Sequence, residues 1–187
     1  ATNSPTARAA ADNIPAWPGF MPQDFRDGMS NVLMAAEMLT GSGANSVDTA
    51  QPLRNVALAA GTGILAGTAA DLNFPTDAEL DAAGALAAAA GNGWRGNNGH
   101  RWGVLQTSQT TLNTTAPPNW QYPSVGNGTP GIAVDNTWGI IPPRSNHSGS
   151  VNSVFTDGSV RVIADNIDRL TFQRMGHRRD GATIPKE

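Results

Sequence analysis

An α+β chain with few helices, a C-terminal β-hairpin and long loops is the fold class this sequence predicts. Three observations carry it. Asp157-Gly158 stands between two short apolar runs, the strongest short hairpin signal a sequence offers. Thr76-Asp77-Ala78-Glu79 is a capping box ahead of an Ala-rich run. Glycine (21) and proline (13) punctuate the rest, so the other regular elements must be short.

Taken in order, residues 1–24 form an irregular lead-in, proline-rich and anchored by Trp17 and Phe20. A globular domain is expected over 25–176. In it, Asp27-Gly28 is a turn signal, and Ser30 or Asn31 could cap the next element. The run Val32-Leu33-Met34-Ala35-Ala36-Glu37 is apolar on every side. Periodicity does not separate a buried strand from a short buried helix there; the residue types favour helix. Residues 40–92 read as an insertion whose one clear element is a helix near 77–90. Its large apolar residues are few, Leu80 and Leu86, and Gly91 is placed to end it. Short strands are expected near Trp102 to Gln106 and Ile132 to Val134, within long loops.

The hairpin follows. With Thr156 and Ser159 flanking a two-residue turn, Phe155 faces Val160, Ser153 faces Val162 and Val151 faces Ala164. That register puts Val151, Phe155, Val160, Val162 and Ala164 on one face. A short helix over 168–175 is closed by Gly176, and 177–187 is expected as a loose basic tail.

Composition narrows the function. The net charge is −3, so no basic field exists to hold nucleic acid. No cysteine is present, which excludes disulfides, thiol nucleophiles and Cys-ligated zinc. No apolar run reaches the roughly 18–20 residues of a membrane helix. No signal peptide opens the sequence; removal of a targeting segment and its never having existed are both open.

Three stretches resemble a known family. His147, nine residues, then Asp157-Gly158 is similar to the C-terminal signature of a large family of pilin-like proteins of unknown function, abundant in planctomycetes. Asp27-Gly28-Met29-Ser30-Asn31 through Glu37, and Asn113 to Asn119 with Pro117-Pro118, are similar to two further blocks of it. The resemblance implies a pilin- or pseudopilin-like antiparallel sheet laid against a helix, which in full-length members is the N-terminal one. It favours strand for 32–37. It also implies export, a cell-surface or secretion-associated place, and other pilin-like subunits or cell-surface components as partners.

Candidate chemistry is sparse. In the register above, His147 lies opposite Asp168, and such a pair could orient a base or a metal ligand; the plainer role is to fix the loop by hydrogen bonds. Asp157-Gly158 could hold a cation, or supply only what the turn needs. Asp135-Asn136 and Asp165 to Asp168 are oxygen-rich loops of the kind calcium takes, and pseudopilins resemble this in holding calcium with C-terminal loops. Calcium is thus the candidate cofactor, with Asp135, Asn136, Asp157, Asp165 and Asp168 as ligands. Glu37 is a partner for a basic group or a sheet-edge charge.

Two rival functions follow. A small calcium-dependent hydrolase of esters or lactones would use His147, Asp165 and Asp168 to activate water. A glycan-binding module would stack sugars on Trp94, Trp102 or Trp120, although core and loop anchors are the commoner role. Standard hydrolase signals are missing: there is no Gly-x-Ser-x-Gly elbow, and His100, His147 and His177 lack metal-ligand spacing.

Overall fold

The computed structural model describes residues 20–43, 51–90, 94–96, 98–100, 109–127, 139–182 and 184. The strands expected near 102–106 and 132–134, the lead-in before Phe20, and Gly91 lie outside these residues.

Among the described residues, two sheets and two α-helices make an α+β fold. The first sheet holds β1 (Leu33–Ala36), β6 (Ser150–Phe155) and β7 (Val160–Ala164) in the order β1-β6-β7, antiparallel throughout. The second holds β2 (Val56–Leu58), β3 (Trp94–Arg95), β4 (Ser124–Gly126) and β5 (Gly139–Ile140) in the order β3-β2-β4-β5. Its β2 and β4 run parallel, and its other pairs antiparallel.

Leu33–Ala36 is strand although its residue types favour helix. The cause is remote: β6 supplies the ladder, and tertiary pairing overrides local propensity. A bulge between Leu33 and Ala35 interrupts that ladder and leaves Met34 exposed.

The segment read above as insertion carries the middle of the second sheet. Val56, Ala57 and Leu58 are buried on both faces, as befits a strand covered on each side. Helix α1 (Asp77–Ala89) packs on one face. Its expected capping box is present: Glu79 N–H donates to Thr76 Oγ1, and Thr76 N–H donates to Glu79 Oε2 at 2.8 Å. The buried stripe is Leu80, Ala83, Gly84 and Ala87, so the helix approaches closely rather than through large side chains. At Gly84 a Cβ would lie 2.1 Å from the Tyr122 ring, which no packed core tolerates. Leu86 points outward.

The hairpin forms one register away from the two-residue expectation. Val154 faces Val160, Asn152 faces Val162 and Val151 faces Ile163. The loop has three residues, Thr156 to Gly158. Gly158 N–H donates to Phe155 O, Phe155 N–H donates to Ser159 O, each at 2.9 Å, and Gly158 takes φ +84°. This is a type I turn followed by a left-handed glycine. Asp157 Oδ1 holds it by accepting from Ser159 N–H at 2.9 Å and Ser159 Oγ at 2.6 Å. Because strand side chains alternate, a slip of one residue turns the second strand over. Ile163 is therefore buried, while Val160 and Val162 are 68% and 67% exposed. Phe155 stays beneath, 1% exposed.

Helix α2 (Arg169–Met175) lies under this sheet and completes a core of Val151, Phe155, Ile163 and Phe172. Burying each Phe contributes about 2–3 kcal/mol. Residues 177–182, expected to be loose, are tied down. Asp180 and Gly181 N–H donate to the Asp27 carboxylate at 2.7 and 3.0 Å, and His177 stacks on Phe74 at 4.8 Å.

Candidate functional site

Glu37 stands at the end of β1, where backbone pairing with β6 runs out. Its N–H still donates to Asn152 O at 3.1 Å. Its carboxylate then stands in for a strand carbonyl: Oε2 accepts from Asn152 N–H at 2.9 Å, and Oε1 accepts from Asn152 Nδ2 at 3.0 Å. His147 Nε2 lies 3.3 Å from Oε1. The Asn152 backbone N–H, then its side-chain amide, hold the Glu37 carboxyl at about 2, against an opposing push from burial; the Ser145 hydroxyl and His147 add to the lowering. Of the two roles open to Glu37 in sequence, partner of a basic group and sheet-edge charge, it fills both. His147 is mostly exposed and closes the cluster from outside.

The other candidates sit apart. Asp165 Oδ1 accepts from Asn119 Nδ2 at 2.8 Å. Asp168 is the N-cap of α2, accepting from Thr171 N–H at 2.8 Å and Thr171 Oγ1 at 2.7 Å. Those bonds, the backbone one first, hold its carboxyl below the usual range. The Ser159 hydroxyl, then the Ser159 backbone N–H, hold the Asp157 carboxyl low, and Arg161 lies 3.8 Å away. His147 thus pairs with Glu37 and not with Asp168. The one-residue register slip and the capping role of Asp168 are the reasons. Among the described residues no three His, Asp or Glu side chains gather as metal ligands do. Asp135 and Asn136 lie outside the described residues.

A family model described as "Protein of unknown function (DUF1559)", SBP_bac_10, matches residues 8–170. The chain belongs to this family. No curated protein matches it, and no solved structure does. The match spans the Glu37–Asn152–His147 cluster, both sheets and the start of α2.

In this DUF1559 chain the two described tryptophans, Trp94 and Trp120, serve packing. Trp120 is 5% exposed and stacks edge-on against Tyr122 at 5.2 Å. Trp94 donates its Nε1–H to Ala87 O at 2.9 Å and packs on the same core. Trp120 keeps no free face for a sugar, because the apolar core has taken it; Trp102 lies outside the described residues.

Sequence reasoning misses one residue here, Arg144. It is 1% exposed. Nη1 donates to Trp120 O at 2.7 Å, Nη2 donates to Tyr122 O, and Nε donates to Ser124 Oγ at 3.4 Å. Burial pushes its guanidinium down to about 10, so it stays charged at neutral pH. Its backbone N–H meanwhile donates to Glu37 O at 2.9 Å. One residue thereby ties the Glu37 corner of the first sheet to the approach to β4 in the second. The only signal is an arginine after Pro142-Pro143, which gives no hint of partners 20 residues back.

The sign of the Glu37 effect on acid stability is fixed by its depressed pKa. The stabilisation is complete above the ordinary carboxylate value and is lost as pH falls from about 4.5 towards about 2. Allowing for the water at this partly exposed carboxylate, about 1–2 kcal/mol is at stake. Glu37→Gln should be less stable at pH 6 and match the parent near pH 2. Asp157, Asp168 and Glu79 titrate in both proteins, so the difference in Tm against pH isolates Glu37. Parallel profiles would remove this role.

Proposed function

We propose that this chain is an extracytoplasmic, pilin-like structural domain, surface-displayed or secretion-associated, rather than a catalyst. The observation that carries the reading is what the signature residues do. Glu37, His147, Asp157 and Gly158 all serve the β1-β6-β7 sheet: one ends a strand ladder, one closes that corner, two make the turn. Two grooves of about 600 and 530 Å³ flank β1, and His147, Asp157, Asp165 and Asp168 line neither. A signature devoted to a sheet and its turn is the mark of a scaffold. The absence of cysteine and a sequence rich in Gly, Pro, Asn and Thr suit exposure outside the cell.

The lack of native cysteine also supplies the test. Ala85→Cys, on the exposed side of α1, adds a thiol to this cysteine-free stretch of the protein in its own cells, with the unsubstituted parent as the labelling control. A charged maleimide that does not cross the inner membrane should label it on intact cells. Labelling that appears only after lysis would overturn the proposal.

A further inference from the structure

The geometry points to a binding site for a single-chain anionic amphiphile, a fatty carboxylate, in the groove lined by β1 and residues 177–180. The groove has a volume of about 600 Å³, within the range of small-ligand sites. Val32, buried, and Phe25 and Leu33, half-buried, give it apolar walls. Phe20 and Met34 line it as well, and each is more than half exposed. An alkyl chain laid along these side chains would release the water that now covers them.

Charge selects the head group. Arg178 and Arg179 line the same groove, and neither has a carboxylate partner among the described residues. The Arg178 guanidinium lies over the Phe20 ring, 4.3 Å from its centroid, and Nη1 donates to Asp24 O at a long 3.4 Å. Arg179 is exposed, and its side chain makes neither ion pair nor hydrogen bond among the described residues. The carboxylates of this corner are taken by other donors. Asp24 Oδ2 accepts from Met21 N–H at 2.8 Å. Asp27 holds the amides of Asp180 and Gly181. Asp180, its side chain 13% exposed, lies 3.7 Å from Arg174 Nε and accepts from Ala182 N–H at 2.9 Å. Two guanidinium groups are thus left beside an apolar groove. A carboxylate accepts paired bonds from such a planar fork.

The other groove along β1, of about 530 Å³, lacks this pairing of properties. No Arg or Lys lines it. Its Asn113 and Thr114 side chains are bonded within the protein, to Gly139 O and Gln173 O. His177 lines both grooves, with its ring stacked on Phe74. The inference goes beyond the extracytoplasmic reading and holds wherever the protein resides.

Decanoate titrated into the full chain and followed by NMR should bind once per chain, with a Kd below about 1 mM. The shifts should fall on residues 20–25, 32–34 and 177–180. Decan-1-ol keeps the alkyl chain without the charge, and acetate keeps the charge without the chain. Each should bind at least about tenfold more weakly. Arg179→Glu changes an exposed side chain without a partner among the described residues, so the fold is retained. It should weaken decanoate by at least about tenfold. No binding of decanoate overturns the proposal. So do equal affinities for decanoate and decan-1-ol, shifts elsewhere in the chain, or an Arg179→Glu variant that binds as the parent does. Shifts at these residues that follow protein concentration alone, or that need phosphatidylglycerol vesicles, make the occupant a second copy or a bilayer and overturn it equally.

Discussion

Arg144→Met should lower the unfolding free energy by about 3–5 kcal/mol, the range for breaking a buried charged network. The guanidinium has no carboxylate partner among the described residues; carbonyls and one hydroxyl replace its water. Bonds to a charged donor contribute about 1.5–3 kcal/mol each, and a buried carbonyl left without a donor costs about 1–3 kcal/mol. Methionine fills similar space and donates nothing, so Trp120 O and Tyr122 O lose this donor at once. For a chain of this size the loss corresponds to a fall in Tm of about 10 °C. Arg144→Lys should fall between, since one ammonium does not reproduce the planar fork that spans both carbonyls. Urea denaturation measures all three proteins; a loss under about 1 kcal/mol in Arg144→Met would show that the guanidinium does not hold the sheets together.

The reason this residue matters is the shape of the core. Apolar side chains form separate clusters. Leu65, Leu80, Trp120, Val125 and Ile140 belong to the second sheet, and Val151, Phe155, Ile163 and Phe172 to the first. Between them run polar ties. Arg144 makes one. Arg169 makes another, with Nη1 donating to Pro75 O at 2.6 Å and Nε 2.8 Å from Asp77 Oδ1. Hydrogen bonds are directional where apolar contact is not, so such ties fix how the two sheets sit.

Legibility in the sequence follows the range of the interaction. The Thr76–Glu79 cap is legible because both halves lie within one turn. Helix α2 and the existence of the hairpin are legible for the same reason. The register is not: Asp-Gly suits a two-residue type I′ loop as well as the three-residue loop with a left-handed Gly158 that forms, in which Asp157 accepts from Ser159 N–H. The residue types of Leu33–Ala36 favour helix because its strand state, which the resemblance implies, is conferred by β6, more than a hundred residues on. Glu37 is readable as a charge in need of a partner, yet Asn152 and His147 are found only through the fold. Asp165 and Asp168 suggest a cation by composition; in the structure Asp165 accepts from Asn119 and Asp168 from Thr171.

Gln173→Leu should cost about 2–3 kcal/mol although it exchanges one buried side chain for another of similar bulk. Gln173 is 1% exposed. Its Nε2 donates to Pro75 O at 3.0 Å and Thr115 O at 2.9 Å, and its Oε1 accepts from Arg169 Nη1 at 3.0 Å. Its own carbonyl accepts from Thr114 Oγ1 at 3.1 Å, and beside it Gly176 meets Thr114 so closely that a Cβ there would lie 2.1 Å from Oγ1. In the leucine variant Pro75 O keeps the Arg169 donor, whereas Thr115 O loses the amide. Gln173→Glu separates hydrogen bonding from size. A carboxylate would turn an acceptor towards two carbonyls, so at pH 7 this variant should be less stable than Gln173→Leu. The order should narrow or reverse in acid, where a protonated carboxyl can again donate one bond. Arg144 and Gln173 share no partner atom, so their losses should add within about 0.5 kcal/mol in the double variant. Equal stabilities for the Leu and Glu variants at pH 7 would mean that shape rather than hydrogen bonding holds α2 against the second sheet.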